Sequence, residues 1–267
     1  MTEEVSPREE AASVPSEHGR GAAFFDLDRT LMAGSSGLHW ARAARGAGLL
    51  TRRRMLRYGL QNLKFRLSGS TDKATDQVRK EVGEMIAGRR VKDLQRMSPK
   101  VLAGVLPRLY PEMLEVAYAH QDASRPVYIC TAAGQELAEM LAHVLGFDGA
   151  VGARSEIRDG LYTGRPGGPF TYREGKAVAI RELASREGID LAHSYAYSDS
   201  ESDLPMLRAV GFPIVVNPDS ELGRVARAEG WEIMRFEQLG RRLKAGGAVV
   251  LMALVGGGTR AVVERRR

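Results

Sequence analysis

The chain runs from the apolar residues Ala22-Ala23-Phe24-Phe25 directly into Asp26-Leu27-Asp28-Arg29-Thr30. A short apolar run that stops at polar residues is typical of a buried strand of a parallel sheet with a site at its end. Asp26 and Asp28 are two positions apart, so their side chains point to the same side of the strand. Two carboxylates so close favour a shared proton or a bound Mg²⁺, and a plain turn through Asp28 and Thr30 is the structural alternative.

The rest of the chain changes character at residue 110. Residues 36–110 carry apolar side chains at helical spacing, and breaks at Gly, Ser and Pro divide them into about four helices. Beyond residue 110, strands and helices alternate, which is the pattern of parallel βαβ units. Strands are predicted over 126–130, 195–198 and 214–216, helices over 135–145 and 204–210, and a hairpin over 156–163. The sequence therefore predicts an α/β fold: a Rossmann-like core with a parallel sheet and an inserted all-helical cap domain.

A second predicted strand end carries a hydroxyl. Thr131 and Ala132 follow the strand at 126–130 and precede a predicted helix. A hydroxyl and free backbone N–H groups at a helix N-terminus form a suitable seat for a phosphate. Cys130, beside them, is interpreted as a small buried strand residue rather than a nucleophile, because no His or Asn partner pattern accompanies it.

A third predicted strand end is acidic. Asp199 follows the strand at 195–198, and Asp203 comes four residues later. Because ligands gather at the carboxyl ends of parallel strands, Asp199 is expected to face the same crevice as Asp26. Helix capping by the neighbouring serines is an alternative interpretation that is compatible with metal binding. Lys176, at the start of another predicted helix, could neutralise a phosphoryl group there.

The composition indicates an ordinary globular protein. The chain has 267 residues, of which 43% are hydrophobic, and it carries a net charge of +6. Its single Cys excludes an internal disulfide and favours a reducing compartment, so a cytoplasmic location is expected. The positive charge suits anionic partners, but the scattered arginines lack interleaved aromatic residues, so no nucleic-acid partner is expected.

Four segments make up the predicted domain organisation. Residues 1–20 are a polar tail expected to be disordered, residues 21–35 with 111–240 form the α/β core, and residues 36–110 form the helical cap. Residues 241–267 combine an apolar stretch with arginines. This C-terminal tail is too short and too glycine-rich for a spanning helix. A peripheral tail is the preferred interpretation, and weak contact with a membrane surface is the alternative.

Four groups of residues, taken in chain order, resemble the four motifs of the haloacid dehalogenase superfamily. They are Asp26-Leu27-Asp28-Arg29-Thr30, Thr131, Lys176, and Asp199 with Asp203. A helical insertion between the first two motifs is similar to that of its phosphoserine-phosphatase-like subfamily, IB. The resemblance covers residues 22–236. It implies a phosphatase and not a dehalogenase, because the dehalogenase branch lacks an acid at the position of Asp28.

The resemblance also implies a role for each of these residues. Asp26 is expected to be the nucleophile that forms an aspartyl-phosphate, and Asp28 the acid that protonates the leaving alcohol and then activates water. Mg²⁺ is expected to be bound by the carboxylates of Asp26 and Asp199 and the main-chain carbonyl of Asp28. The other implied roles are phosphate binding by Thr131, Ala132 and Lys176, and support by Asp203 and Thr30.

The substrate expected from the resemblance is a small soluble phosphate ester such as phosphoserine or a related metabolite. In the phosphoserine enzymes, a Glu seven residues after the second Asp of the first motif helps to bind the substrate ammonium, and Ser35 stands at that position here. An unpaired ammonium is costly in a closed site, so phosphoserine as the sole substrate is in question. Two alternatives stay open: a lipid-phosphate phosphatase of the lysophosphatidate type at the membrane surface, and a non-catalytic basic binding module. The sequence does not indicate an oligomeric state.

Overall fold

A six-stranded parallel sheet forms the centre of the part of the chain that the computed structural model describes, residues 20–51, 53 and 72–236. The strands of this part are β1 (Ala23–Phe25), β2 (Val127–Gly134), β3 (Gly149–Ala153), β4 (Ser155–Arg158), β5 (Leu161–Pro166), β6 (Tyr195–Ser198), β7 (Phe212–Val216) and β8 (Glu232–Met234). The strand order in the sheet is β3-β2-β1-β6-β7-β8, and β4 pairs with β5 in a separate hairpin. This architecture confirms the predicted α/β fold with a parallel sheet.

The helices of the described residues fall into two groups. Between β1 and β2 lie α1 (Ser36–Gly46), α2 (Asp72–Ile86), α3 (Val91–Gln95), α4 (Ser98–Val105) and α5 (Pro111–Asp122), with a 3₁₀ turn over Leu106–Arg108. After β2 lie α6 (Gln135–Leu145), α7 (Glu174–Glu187), α8 (Leu204–Leu207) and α9 (Ser220–Glu229), with 3₁₀ turns over Leu191–His193 and Glu201–Asp203. The second group alternates with strands, whereas the first is helical throughout.

The short strand β1 occupies the middle of the sheet because both of its faces are apolar. It pairs with β2 on one side and β6 on the other. Phe24 and Phe25 point to opposite faces and are fully buried. Phe25 stacks on Tyr197 of β6 with ring centroids 4.3 Å apart, and Phe24 stacks on Tyr128 of β2 at 5.8 Å. Burial on both faces fixes the register that brings residue 26 to the edge of the sheet.

Several predicted elements have the predicted bounds. The helix predicted over 135–145 and the strand predicted over 195–198 match α6 and β6, and a hairpin spans the predicted 156–163. The strand predicted over 126–130 continues to Gly134 as β2, because Gly134 still pairs with β3 after a register shift. The helix predicted over 204–210 is shorter in the structure. It ends early because the chain turns into β7, where the Gly211 N–H donates to the Leu191 carbonyl at 2.9 Å.

The hairpin of β4 and β5 is fastened to the helical segment that precedes α5. The Gly88 N–H donates to the Tyr162 carbonyl at 2.8 Å, and the Val91 N–H donates to the Gly160 carbonyl at 3.0 Å. Helix α2 also packs closely on β5, since a Cβ on Gly83 would lie 2.5 Å from the Gly164 carbonyl oxygen. The hairpin thus forms a wall of the space between the first helical group and the sheet.

The predicted domain boundaries stay predictions. Residues 1–19, part of the predicted cap and the C-terminal tail at 241–267 lie outside the described residues. Arg20 pairs with Ile189 in an isolated bridge, which places it at the edge of the core. Within the part of the chain that is described, no helix is long and apolar enough to cross a membrane.

Candidate active site

The carboxyl ends of three neighbouring strands converge at one edge of the sheet. Asp26 directly follows β1, Asp199 directly follows β6, and Thr131 lies in the last half of β2. All three are buried, with 7%, 3% and 3% of their surface exposed. The structure therefore brings together the three strand ends that the sequence analysis singled out, as expected for the ligand-binding edge of an open α/β sheet.

Lys176 joins two of the acidic residues. Its Nζ lies 2.5 Å from Asp26 Oδ1 and 2.7 Å from Asp203 Oδ2. Asp203 Oδ2 also accepts a hydrogen bond of 2.7 Å from the Ser198 hydroxyl. Lys176 and Asp203 are 2% and 3% exposed. The result is a buried cluster of two carboxylates around one ammonium, with a net charge of about −1 when all three groups are ionised.

Burial and charge act against each other in this cluster. Burial raises the pKa of Asp26 to about 7, although the Lys176 ammonium works in the opposite direction. Burial disfavours the charged form of Lys176, but the carboxylates of Asp203 and Asp26 outweigh it and raise the pKa of Lys176 above its usual range. Lys176 is therefore a fixed cation at neutral pH, and the excess negative charge around it favours a further cation.

The position of Lys176 depends on a close approach between the backbone of Gly175 and that of Phe170. Gly175, in the first turn of α7, lies against the preceding loop, and a Cβ at this position would be 1.7 Å from the Phe170 carbonyl oxygen. Any side chain would push the loop and the helix start apart. Glycine at position 175 is thus a steric requirement for the position of Lys176.

Asp199 is held by an arginine of the first motif. Arg29 Nη2 lies 2.8 Å from Asp199 Oδ2. Burial raises the pKa of Asp199 well above its usual value, and the Arg29 guanidinium opposes this shift. Arg29 has a φ of 67°, a left-handed backbone conformation that turns the chain sharply after Asp28. The tight turn gives Arg29 its reach to the neighbouring strand end.

Asp28 is half-buried and contacts the start of α1. The Ser35 hydroxyl donates to Asp28 Oδ2 at 3.1 Å, and the Ser36 N–H donates to Asp28 Oδ1 at 2.8 Å. Both oxygens of Asp28 therefore have partners at the N-terminus of the first helix of the predicted cap, and these two hydrogen bonds hold the side chain in one orientation. Ser35 stands where the phosphoserine enzymes have a Glu, and here its hydroxyl contacts Asp28.

The segment around Thr131 differs in one detail from the prediction. The sequence analysis predicts free backbone N–H groups after this strand. In the structure, the Ala133 N–H is not free, because it donates a hydrogen bond of 3.1 Å to the Thr131 hydroxyl oxygen. The Thr131 carbonyl accepts a hydrogen bond of 2.8 Å from Thr171 Oγ1. Ala132 is exposed at the edge of the sheet. Cys130 is fully buried, and burial raises the pKa of its thiol to about 12, which agrees with a packing role.

Thr30 is fully buried, and its hydroxyl has no hydrogen-bond partner among the described residues. A buried hydroxyl without a partner is rare in native proteins. The structure therefore places Thr30 in the protein interior, two residues after Asp28.

The donor set around Asp26 suits a hard divalent cation. Buried carboxylates with raised pKa values and carbonyl oxygens at the strand ends provide oxygen ligands, which Mg²⁺ prefers. No group of three or more His, Cys, Asp or Glu residues in the described chain has the spacing of a metal cage. Mg²⁺ characteristically uses one or two carboxylates plus waters and substrate phosphate, so Asp26 and Asp199 with a main-chain carbonyl fit this cation.

Comparison with known proteins identifies the family. A family model described as haloacid dehalogenase-like hydrolase matches residues 23–208, which is more than half of the chain. The chain belongs to the haloacid dehalogenase-like hydrolase family. As a haloacid dehalogenase-like hydrolase, it is an enzyme, and the matched range contains every site residue described above.

The matches between this hydrolase and individual relatives extend over most of the length of both chains. It is 40% identical over 220 residues to a probable phosphatase of Mycobacterium tuberculosis, with 82% of this chain and 76% of the relative covered. It is 37% identical over 250 residues to the phosphoserine phosphatase SerB1 of the same organism, with 92% of this chain and 80% of the relative covered. A crystal structure of a Bordetella pertussis protein of unknown function superposes with a TM-score of 0.71 at 29% identity, with coverages of 81% and 98%.

Three contacts of the site were missed at the level of sequence. They are the hydroxyls of Ser198 and Thr171 and the guanidinium of Arg29. Arg29 lies inside the first motif, directly after Asp28, so the sequence already indicated that its guanidinium would lie close to the acidic residues of the site. Thr171 contacts a residue 40 positions away, and no local pattern marks it.

Proposed function

We propose that the protein is a Mg²⁺-dependent phosphomonoesterase that acts through an aspartyl-phosphate on a small phosphate ester such as phosphoserine or a related metabolite. The observation that carries this proposal is the buried contact of Lys176 with Asp26 and Asp203, because a carboxylate beside a fixed cation is suited to act as a nucleophile on a phosphoryl group. The phosphatase and phosphoserine phosphatase among the relatives support the same chemistry. These relatives give no support to a lipid-phosphate phosphatase or to a binding module.

In the first proposed step, a carboxylate oxygen of Asp26 attacks the phosphorus atom. The bond between phosphorus and the ester oxygen breaks, and Asp28 gives its proton to the leaving alcohol. In the second step, Asp28 takes a proton from a water molecule, the water oxygen attacks phosphorus, and the bond to Asp26 breaks. Phosphate is released, and both carboxyl groups return to their starting states.

The other site residues bind and orient. Lys176, the Thr131 hydroxyl and the Ala132 backbone are proposed to hold the phosphoryl oxygens. Thr131 and Ala132 lie in the last half of β2, the strand next to β1, and Lys176 reaches Asp26 from the first turn of α7. Asp203 positions Lys176 through their contact of 2.7 Å, and Thr30 supports the first motif. Mg²⁺ would be held by the carboxylates of Asp26 and Asp199 and the carbonyl of Asp28, and it would supply charge neutralisation for the phosphoryl group.

The helices between β1 and α5 are proposed to act as the cap over this site, with the boundaries 36–110. The hydrogen bonds from Ser35 and Ser36 to Asp28 place the first of these helices directly against the proposed acid. A cytoplasmic location, given the single Cys, is part of the same proposal.

The test measures phosphate release from phosphoserine and a panel of metabolite monoesters, with and without Mg²⁺. Asp26→Asn keeps the shape of the side chain but removes the nucleophile, so release is expected to fall to background. Asp122→Asn is the matched control, because Asp122 is exposed at the end of α5. Turnover by Asp26→Asn at a substantial fraction of the control rate would refute the proposal.

A further inference from the structure

A loop of the core joins two parts of the proposed phosphate seat. Residues 170–175, the seat loop, lead directly into Lys176 at the start of α7. Within this loop, the Thr171 hydroxyl donates to the Thr131 carbonyl at 2.8 Å, and the Thr171 residue is 2% exposed. The seat loop is therefore fixed to Thr131 on one side and continues into Lys176 on the other.

The backbone of the seat loop is strained at Arg173. Its φ of 50° and ψ of −124° lie in a region that favours glycine, and the Gly175 N–H donates to the Tyr172 carbonyl at 3.0 Å across this turn. A strained backbone conformation persists only where the surrounding contacts hold it. The position of Lys176, which directly follows the turn, therefore depends on the contacts that the seat loop makes.

One of these contacts comes from the first helical group. The guanidinium carbon of Arg79, on α2, lies 5.2 Å from the centre of the Phe170 ring, which is the distance of a cation–π contact. Both side chains are half-buried, so water screens the contact only in part. The centre of the Phe170 ring is also 5.9 Å from that of Tyr172, so the cation lies on an aromatic pair of the seat loop.

The packing of α2 directs Arg79 towards the core. Gly83 lies four residues after Arg79, on the same face of the helix. This face is pressed against the hairpin, where a Cβ on Gly83 would lie 2.5 Å from the Gly164 carbonyl oxygen. The contact between Arg79 and Phe170 is therefore a link between the proposed cap and the phosphate seat of the core.

We propose that Arg79 is a positioning residue, which holds Phe170 and thereby keeps the seat loop in the conformation that places Lys176 on the phosphoryl group. This inference rests on the proposed phosphatase function and gives the first helical group a part in phosphate binding. Arg79 acts through the Phe170 ring and not by contact with the substrate. Its loss therefore weakens the binding of inorganic phosphate as well as of esters, because Lys176 contacts the group that they share.

The test measures the dissociation constant of inorganic phosphate by titration calorimetry in the presence of Mg²⁺. Arg79→Met removes the charge, and we expect it to raise this constant about fivefold, the factor that corresponds to a partly buried cation–π contact. Arg79→Lys keeps a cation that can lie over the ring, so its constant should stay within about twofold of the wild-type value. An unchanged constant in Arg79→Met overturns the inference, and so does an Arg79→Lys variant that binds phosphate as weakly as Arg79→Met.

The matched control is Lys80→Met, at an exposed position of the same helix. It removes the same charge from α2 without touching Phe170, so it should leave the dissociation constant of phosphate unchanged. An effect equal to that of Arg79→Met would indicate a general loss of positive charge and overturn the inference.

A substitution of the ring shows whether Arg79 acts through it. Phe170→Leu should weaken phosphate binding by itself, and Arg79→Met should have no further effect in the Phe170→Leu background. A further loss in the double variant would mean that Arg79 acts on phosphate by another route, which contradicts the inference. Urea unfolding of each variant excludes a purely structural role, since such a role lowers the free energy of unfolding but leaves the phosphate affinity of the folded protein unchanged.

The outcomes separate this inference from the proposed function. If the wild type hydrolyses phosphate esters but Arg79→Met binds inorganic phosphate as tightly as the wild type, the inference fails and the phosphatase proposal stands. If the wild type binds inorganic phosphate but hydrolyses no ester, the phosphatase proposal fails, and the dissociation constants of the variants still decide whether Arg79 positions the seat loop. A wild type that binds no inorganic phosphate in the presence of Mg²⁺ overturns the inference, because the seat itself is then absent.

Discussion

Replacing Lys176 with Met leaves two buried carboxylates without the cation that lies between them. The ammonium is 2.5 Å from Asp26 and 2.7 Å from Asp203, and the side chain is almost completely buried. At an effective dielectric constant of about 20, each contact corresponds to about 6 kcal/mol of attraction before desolvation is counted. Because breaking a buried pair by removing one partner costs about 3–5 kcal/mol, we expect a loss of this size in the free energy of unfolding at neutral pH.

The loss depends on pH in a defined direction. In the variant, the Lys176 ammonium no longer opposes the effect of burial on Asp26. The folded-state pKa of Asp26 therefore rises further above its ordinary value of 3.8, and the folded state binds a proton more readily than the unfolded chain. The part of the cost that comes from Asp26 is therefore absent below the ordinary pKa, where its carboxyl group is protonated in both states, and it grows as the pH rises above that pKa. Urea unfolding of the metal-free protein at pH 4 and pH 7.5 measures both values, with Lys92→Met as an exposed control.

A loss below about 1 kcal/mol at pH 7.5 would refute this account of the cluster, since that is the size expected for an exposed pair. An equal loss at both pH values would also contradict it, because a packing defect alone does not depend on carboxylate ionisation. The double variant with Asp203→Asn, which leaves a single carboxylate, is expected to recover part of the loss.

Three further substitutions test the surroundings of Asp26. Asp199→Ala should raise the Mg²⁺ concentration for half-maximal phosphate release at least tenfold, and an unchanged Mg²⁺ titration would count against its role as a ligand. Gly175→Ala should lower kcat about tenfold or more by displacing Lys176. Gly168→Ala should leave kcat unchanged, because a Cβ at that position meets nothing within 4 Å. Equal effects of the two substitutions on kcat would show that the close approach of Gly175 to Phe170 does not position Lys176. Ser35→Ala should lower kcat about fivefold, because it removes a hydrogen bond to Asp28 worth about 1 kcal/mol. Ser35→Thr keeps the hydroxyl and should restore kcat. No change of kcat in Ser35→Ala would show that this contact does not position Asp28.

The elements that sequence predicted best are those with a strong local signal. Helix α6 has its predicted bounds because its apolar residues follow the helical period and Gly146 ends it in a left-handed conformation, with a φ of 67°. β1 is predictable because its apolar run stops abruptly at Asp26. The extension of β2 to Gly134 depends on pairing with β3, which no local pattern encodes.

The candidate site was predictable in its residues but not in its contacts. The motif spacing indicates that Asp26, Lys176 and Asp203 share a site, but the ion pair joins positions 150 residues apart. The absence of a Glu at position 35 is visible in the sequence, whereas the hydrogen bond from Ser35 to Asp28 depends on how the first helix meets the strand end.

The most direct test of the proposed mechanism is chemical trapping of the intermediate during turnover. The enzyme is mixed with excess substrate and Mg²⁺, quenched in acid and reduced with borohydride, which converts an aspartyl-phosphate into homoserine. Peptide mass spectrometry then identifies the modified position. The account predicts homoserine at position 26 in the wild type and none in Asp26→Asn. Homoserine at position 28, or none at position 26 while phosphate is being released at the full rate, would contradict it.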